Sequence, residues 1–265
     1  KHVICEKPAA VTSDQMRELN LLARRSGLVY MEAIMMRYLP ARELLYKALD
    51  RIGNITTARF DFSQLSSKYP ALLEGKLPNI FNPAMATGCL MDLGIYCVYA
   101  AIDLFGRPDR ITACAGFLSS GADGYGSAVF NYKDRQVSLT YSKTGQSLAG
   151  SEIMGDRGTI AIDSISKLTG ITLVQNRNGG AGGNIGDAEK RELIAGDIPK
   201  ARLMSGEAAA FRRFSHDPSG CADEIAEAGE MALAVCETME TMRDQSGIRF
   251  PAVHQVALSQ TDVYG

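Results

Sequence analysis

Two short motifs, far apart along the chain, could together carry out proton transfer. Glu6-Lys7-Pro8 follows a short apolar run, and Asp92 and Tyr96 lie four residues apart in a segment with a helical apolar pattern. Residues four apart share one face of a helix, so this spacing places a carboxylate beside a phenol. An ammonium group near a phenol favours the ionised phenolate. Lys7, Asp92 and Tyr96 would therefore suit removal of a proton from an alcohol.

Each of these residues also has an ordinary structural explanation. Lys7 could be a surface charge, Asp92 an exposed helix residue and Tyr96 a half-buried aromatic side chain. An unperturbed tyrosine has a pKa of about 10, so acid–base catalysis near neutral pH would need Lys7 to lower it. The residue types alone leave the catalytic and the structural interpretation open.

The sequence contains no recognisable metal site and no nucleotide-binding fingerprint. The six cysteines form no Cys-x-x-Cys pair and the three histidines lie far apart, so we expect reduced thiols and no bound metal. Neither the G-x-G-x-x-G motif nor the Walker motif occurs. The glycine-rich stretch 179–186 does not lie between a strand and a helix, and we interpret it as part of an exposed loop at 176–188.

The segment that positions Lys7 has the alternating strand and helix pattern of a parallel sheet. Residues 2–5 form a short apolar run that stops before a proline. Thr12 and Gln15 fit a capping box at a helix start, and residues 28–33 form a second apolar run. Ligands of open α/β sheets gather at the carboxyl ends of strands, where Lys7 lies. An opening apolar strand needs partners on both sides, which predicts further sequence upstream.

The rest of the chain predicts an α+β unit with a large, mostly antiparallel sheet. Short alternating runs follow one another without helices between them, as is typical of antiparallel strands. We expect strands near residues 55–64, 110–117, 127–132, 136–142, 151–154, 159–163 and 171–175. Apolar faces predict helices at 41–52, at 88–105 and from Ile225 to Met242, the last ending near Gly247. We place the boundary between the two units at residue 34.

The overall composition excludes several functional classes. The chain has 265 residues with 28 Lys and Arg against 30 Asp and Glu, and its net charge of −2 lacks the basic surplus of a nucleic-acid-binding protein. No run of about 18 consecutive apolar residues and no basic-then-apolar leader pattern occurs. We therefore expect a soluble, cytoplasmic protein with no nucleic-acid or membrane partner.

The motifs and the residues around them resemble the Gfo/Idh/MocA family of NAD(P)-dependent oxidoreductases. Glu-Lys-Pro after a strand (residues 6–8) and Gly-x-x-x-Asp-x-x-x-Tyr in a helix (residues 88–96) are similar to the two most specific signatures of that family. The Met-Glu-Ala…Arg-Tyr-x-Pro segment (residues 31–40) is similar to the branch with dihydrodiol dehydrogenase-type and glucose–fructose oxidoreductase-type enzymes. The resemblance spans residues 1–165.

This resemblance implies a two-domain protein and a role for each motif residue. Residues 1–34 would be the C-terminal part of a Rossmann dinucleotide-binding domain, and residues 35–265 an α+β substrate-binding and oligomerisation domain with an open sheet and flanking helices. Lys7 would position the reacting hydroxyl and take part in proton transfer. Tyr96, where many relatives have histidine, would be the general acid and base, and Asp92 would orient the substrate or Lys7.

The resemblance also implies NAD or NADP as cofactor, contacted by Glu6, Lys7 and Pro8. Arg37 matches a further cofactor contact in the family members that, like this chain, have tyrosine rather than histidine at the position of Tyr96. The bond between Lys7 and Pro8 is often cis in the family. The family carries a glycine-rich loop and a ribose-binding acidic residue upstream of Glu-Lys-Pro, and both are absent from this sequence. We therefore interpret the sequence as a fragment of a longer protein and expect it to bind the nucleotide weakly or not at all by itself.

The function implied is transfer of a hydride between nicotinamide and a secondary alcohol of a sugar, cyclitol or related hydroxy compound. A non-catalytic module for oligomerisation or ligand sensing is the alternative from another class, and glycoside cleavage by transient oxidation is a third possibility. The partners implied are a small-molecule substrate and a second copy of the chain, forming a dimer or larger homo-oligomer through the sheet face. The substrate, the choice between NAD and NADP and the oligomeric state depend on features that the sequence does not reveal.

Overall fold

The computed structural model describes residues 1–175 and 190–251, which form a small parallel unit and a large sheet with helices packed on one face. A π-helical turn, Leu90–Gly94, directly precedes helix α4, and short 3₁₀ turns cover Met35–Tyr38, Asn79–Phe81, Pro83–Met85 and Lys200–Arg202. The other elements, in chain order, are β1 (Val3–Glu6), α1 (Ser13–Arg25), β2 (Tyr30–Ala33), α2 (Pro40–Leu49), β3 (Ile55–Ser63), α3 (Tyr69–Leu73), α4 (Ile95–Phe105), β4 (Arg110–Phe117), β5 (Asp123–Asn131), β6 (Gln136–Ser142), β7 (Ser151–Gly155), β8 (Gly158–Ile162), β9 (Ile171–Gln175), β10 (Lys190–Ala195), α5 (Ser205–His216) and α6 (Ala222–Ser246).

The small unit pairs β1 with β2 in parallel, with α1 between them in sequence, as the strand–helix–strand pattern predicts. The capping box is confirmed: the Gln15 N–H donates to Thr12 Oγ1 at 3.2 Å, and Gln15 Oε1 accepts the Thr12 N–H at 3.1 Å. Parallel pairing brings the carboxyl ends of the two strands together, and Lys7 lies one residue beyond β1. The domain boundary at residue 34 stays a prediction.

The large sheet has the strand order β10-β9-β8-β7-β3-β6-β5-β4. β3 and β6 pair in parallel and the other neighbours are antiparallel, which confirms the predicted α+β class with a mostly antiparallel sheet. Successive side chains of a strand point to opposite faces, so the alternating pattern buries one face. That face carries Ala58, Phe60, Ala128, Phe130, Val137, Leu139, Ile153, Ile160 and Leu173.

Helices α4 and α6 contact each other and pack against the sheet. α6 follows the predicted apolar stripe, with Val235, Met239 and Met242 buried, and it ends at Gly247 in the left-handed conformation with φ 74°. The segment Pro83–Phe105 passes a length and composition test for crossing a membrane, but 67% of its most apolar stretch is buried inside the fold. This burial is typical of a core helix.

The sequence pattern does not predict β10 or α5. β10 is an edge strand rich in charged residues, and α5 buries only Glu207, Ala210 and Phe214, so neither shows a clear apolar period. β5 begins earlier than the pattern indicates because Gly124 and Gly126 have no side chains to alternate. The loop expected at 176–188 lies outside the described residues.

A carboxylate from another strand holds the start of the π-helical turn. Asp123, the first residue of β5, is fully buried, and its Oδ2 accepts the Leu90 N–H at 2.6 Å. A carboxylate suits this position because the first N–H groups of a helix lack partners within the helix. Gly88 makes room for it, since a Cβ at position 88 would lie 1.8 Å from Asp123 Oδ1. Packing therefore explains the glycine of the Gly-x-x-x-Asp-x-x-x-Tyr motif.

β2 carries a buried carboxylate next to the Glu-Lys-Pro segment. Glu32 is 8% exposed, and its Oε1 accepts the Ala9 N–H at 2.9 Å, while Oε2 has no hydrogen-bond partner among the described residues. Burial raises the pKa of Glu32 to about 7, although the Ala9 N–H and the charge of Lys7 act in the opposite direction. Such a carboxylate costs stability whenever it is ionised.

Replacement of Gly88 by alanine is expected to destabilise the fold by about 1–3 kcal/mol, the usual cost of overpacking a filled site. The added methyl group would displace the Asp123 carboxylate from the Leu90 N–H. Urea unfolding followed by circular dichroism measures this, with Gly196→Ala as control, because a Cβ at 196 meets only Leu193 Cδ2 at 3.9 Å. Equal free energies of unfolding for the two variants would contradict the packing argument.

Glu32→Gln is expected to stabilise the protein at pH 8 and to have a much smaller effect at pH 5. The folded-state pKa of about 7 lies above the ordinary 4.5, so the ionisation penalty is full above pH 7 and absent below pH 4.5. At roughly 1.4 kcal/mol per pKa unit, this penalty has an upper limit of about 3–4 kcal/mol. Thermal unfolding at both pH values measures it, with the exposed Glu18→Gln as control. Equal stabilisation at pH 5 and pH 8 would rule out ionisation as the cause.

Candidate active site

The fold brings the two sequence motifs into direct contact. Lys7 Nζ donates to Asp92 Oδ1 at 2.9 Å and to the main-chain oxygen of Asp92 at 2.5 Å, although 85 residues separate them. The Lys7 side chain is only 12% exposed, so its ammonium group is held by Asp92 rather than by bulk water. The predicted pairing of Lys7 with Asp92 is thus present in the structure.

Tyr96 completes the cluster on the other side of Lys7. Lys7 Nζ lies 4.8 Å from the centroid of the Tyr96 ring, and Phe62 packs edge-on against the same ring with centroids 5.5 Å apart. These contacts restrict the ring to a position beside the lysine. The structure therefore places Lys7, Asp92 and Tyr96 in one group, as the sequence indicates.

The prediction of a regular α-helix from residue 88 to residue 105 is wrong over Leu90–Gly94. This turn is π-helical, and the Ile95 N–H donates to the oxygen of Leu90, five residues earlier. The main-chain oxygen of Asp92 accepts a hydrogen bond from Lys7. Single π-helical turns within helices are rare overall, but many of those that occur lie at functional sites. The geometry between Asp92 and Tyr96 therefore does not follow from α-helical spacing alone.

A second lysine, which sequence reasoning missed, holds the other oxygen of Asp92. Lys143 Nζ contacts Asp92 Oδ2, and the Lys143 side chain is 3% exposed. Burial alone would raise the pKa of Asp92, but Lys7 and Lys143 together lower it below its usual value. The sequence offers only a weak indication that Lys143 belongs to the site: it directly follows the alternating strand β6, much as Lys7 follows β1.

Tyr96 titrates higher than the sequence analysis expects. Burial, followed by the negative charges of Asp92, Glu6 and Glu207, raises the pKa of Tyr96 to about 12. The expected lowering of this pKa by Lys7 is therefore wrong. Glu207, a buried residue in the first turn of α5, was not predicted because α5 itself was not. Burial and the charge of Glu6 raise the pKa of Glu207 to about 7.

The residues predicted to contact the cofactor lie in different surroundings. Glu6 ends β1, and the bond between Lys7 and Pro8 is cis. Arg37 is buried: its guanidinium lies 3.1 Å from Glu227 and 4.0 Å from Asp103. Nη1 of Arg37 has no hydrogen-bond partner among the described residues, and the role of Arg37 as a cofactor contact stays a prediction. Within residues 1–175 and 190–251, no group of three or more His, Cys, Asp or Glu side chains is arranged to hold a metal ion.

Comparison with known proteins identifies relatives of this chain. A family model described as the GFO/IDH/MocA C-terminal domain matches residues 41–161. The chain is 35% identical to scyllo-inositol 2-dehydrogenase (NADP(+)) IolU of Bacillus subtilis over 95% of this chain and 73% of the relative. It is 32% identical to trans-1,2-dihydrobenzene-1,2-diol dehydrogenase of Macaca fascicularis over 60% of this chain and 46% of the relative. It thus spans 73% of the first relative but about half of the second.

Solved structures share the fold at low sequence identity. KijD10, a 3-ketoreductase from Actinomadura kijaniata in complex with NADP and TDP-benzene, superposes with a TM-score of 0.76 at 18% identity over 93% of this chain and 71% of that chain. An NAD binding oxidoreductase from Klebsiella pneumoniae superposes with a TM-score of 0.71 at 19% identity, over 92% and 71%. The fold, the family match and the inositol dehydrogenase relative agree with the resemblance in the motifs. The chain belongs to the Gfo/Idh/MocA family of NAD(P)-dependent oxidoreductases.

Proposed function

We propose that this chain forms the proton-transfer site of an oxidoreductase that interconverts a ring secondary alcohol and the corresponding ketone. The observation that carries the proposal is the position of Lys7 Nζ, bonded to Asp92 and 4.8 Å from the centre of the Tyr96 ring. A cation and a phenol side by side suit alcohol and ketone chemistry, because the cation would stabilise negative charge on the substrate oxygen while the phenol exchanges a proton with it. The non-catalytic alternative has no comparable observation in its favour.

Tyr96 would be the general acid and base of this site. Its raised pKa keeps the phenol protonated at neutral pH, so it is ready to donate a proton to a ketone oxygen during reduction. Lys7 would orient the substrate oxygen, and its bonds to Asp92 hold it in place. In the oxidation direction, Tyr96 must first lose its own proton.

The cofactor would be NADP or NAD, and NADP is supported by the NADP(+)-dependent inositol dehydrogenase and by the 3-ketoreductase structure in complex with NADP. The carboxyl end of β1 fits the nicotinamide end of such a cofactor, because open α/β sheets bind their ligands there. Lys7 and Tyr96 would then face the substrate oxygen. Glu6, Lys7 and Pro8 would line that end, and no glycine-rich turn for the pyrophosphate occurs in this sequence. When bound, nicotinamide supplies the hydride exchange with the substrate carbon.

The substrate class that we favour is a cyclitol or another ring polyol, because a relative that matches 95% of this chain is a scyllo-inositol dehydrogenase. The buried Glu207, whose charge acts on Tyr96, would accept a hydrogen bond from a second hydroxyl of the ring. Sugars and dihydrodiols are the neighbouring possibilities.

Two further proposals concern the environment of the protein. The outer face of the sheet exposes small polar side chains such as Thr112, Ser127 and Thr140, and it could pack against a second copy. Light scattering on the full-length protein would reveal such a dimer.

The six cysteines are free thiols, which supports a reducing, cytoplasmic location. Fractionation of the native cells would test this location.

The function is tested by turnover of scyllo-inositol, myo-inositol and sugars with NADP⁺ and NAD⁺, using the full-length protein. Lys7→Met and Tyr96→Phe are each expected to lower kcat by about 10²–10⁴-fold, the usual contribution of a positioned acid or base. The exposed Lys133→Met and Tyr125→Phe are the matched controls and should retain activity. Wild-type activity in Tyr96→Phe would remove Tyr96 from the mechanism, and absence of turnover with every polyol would refute the substrate class.

The pH dependence of the two directions should differ. Because the pKa of Tyr96 is raised to about 12, the phenol stays protonated from pH 7 to pH 10, so the Tyr96-dependent rate of ketone reduction is expected to be flat. The phenolate fraction rises about tenfold per pH unit over the same range, so kcat for alcohol oxidation should rise steeply. Steady-state rates in both directions measure this. An oxidation rate that is constant from pH 7 to pH 10 would contradict Tyr96 as the base.

A further inference from the structure

Lys143 is a buried cation that the mechanism above does not use. The residue is 2% exposed, and its backbone is fixed from two sides: its N–H donates to the oxygen of Gly124 at 2.8 Å, and its own oxygen accepts the Ser66 N–H at 2.9 Å. Burial of an ammonium group is costly unless a counter-ion is present. Among the described residues, the counter-ion of Lys143 is Asp92.

The surroundings of Lys143 come from several elements. Asp92 contacts it from the π-helical turn, and the face of Phe81 lies 6.0 Å from Nζ. Its charge also acts on Asp123 of β5 and on the Cys89 thiol, lowering the pKa of each against the larger effect of burial. Asp123 accepts the Leu90 N–H through Oδ2, and its Oδ1 has no hydrogen-bond partner among the described residues, so Lys143 forms its ion pair with Asp92 and not with Asp123.

Asp92 therefore divides its two oxygens between two lysines. Oδ1 accepts from Lys7 and Oδ2 from Lys143. The Asp92 side chain is 34% exposed and could rotate if one partner were lost, since burial alone does not hold it. Lys7 could then reach both oxygens of the carboxylate and move away from Tyr96. A displacement of about 1 Å in a catalytic group can cost about 10²-fold in rate.

We propose that Lys143 is a positioning residue, which holds Oδ2 of Asp92 so that Oδ1 and the main-chain oxygen keep the Lys7 ammonium beside Tyr96. The inference rests on the proposed function, because Lys7 and Tyr96 are its reacting groups. Lys143 touches neither the reacting hydroxyl nor the nicotinamide in this role. It acts through Asp92 alone.

The first test is the titration of Asp92 in the cofactor-free, full-length protein, followed by NMR of ¹³C-labelled aspartate carboxyl groups. Asp92→Asn assigns the signal. In Lys143→Met, Lys7 is the one lysine left to lower the Asp92 pKa against the effect of burial, which raises it. The Asp92 pKa should therefore rise by about 1–3 units. Lys143→Arg keeps the cation and should leave the titration close to that of the wild type. The exposed Lys133→Met is the control for removal of a lysine elsewhere.

The second test is the kinetics of the same variants. Lys143→Met should lower kcat by about 10²-fold, with the KM for the nicotinamide cofactor unchanged, and should move the acidic limb of the pH–rate profile to higher pH. Lys143→Arg should recover most of kcat. Lys143→Gln is the second uncharged variant: it can still donate a hydrogen bond to Asp92, and it replaces Lys143→Met if that protein does not fold.

Each outcome decides a separate question. An unchanged Asp92 titration in the uncharged variants overturns the inference, and so does a shifted titration with an unchanged kcat. Equal losses of activity in the Arg and Met variants with an unchanged pH profile would show a structural role only. If the wild-type protein oxidises no polyol while the Asp92 titration shifts, the proposed function fails and the hold of Lys143 on Asp92 stands.

Discussion

The carboxylate of Asp92 joins three segments that are distant in sequence: the end of β1, the π-helical turn and the end of β6. Its two oxygens bind Lys7 and Lys143, and both lysines are largely buried. Buried charges of this kind stabilise a structure only while each has its partner, because an uncompensated ion in a poorly solvated site is costly. The small parallel unit and the large sheet are therefore connected by an ion cluster at the place where the chemistry would occur.

The ends of regular elements position this cluster. Lys7 follows β1 directly, Lys143 follows β6, and the π-helical turn is held at its start by Asp123 of β5. Gly88 permits that last contact by leaving space for the carboxylate. Sites built on strands and helices are more precise than sites on loops, since packing restricts their side chains.

Burial and local charge separate the titrating groups into two classes. Two lysines lower the pKa of Asp92 and keep it ionised, whereas burial raises the pKa of Glu32 and Glu207 to about 7. Burial also raises the pKa of Tyr96 to about 12 and keeps its proton in place. Groups of similar chemistry thus take different protonation states because their environments differ. Reduction of a ketone with Tyr96 as proton donor suits this arrangement at neutral pH.

The amino-acid sequence by itself determined the local features: the capping box of α1, the strand alternation, the apolar stripe of α6, and the three residue types at positions 7, 92 and 96. These depend on neighbours within a few residues, and side-chain periodicity encodes them. Only the tertiary structure decided the π-helical turn, the second lysine at 143, the carboxylate at 207 and the direction of the Tyr96 pKa. These depend on contacts between residues far apart in sequence and on the loss of water around them, which no local pattern specifies.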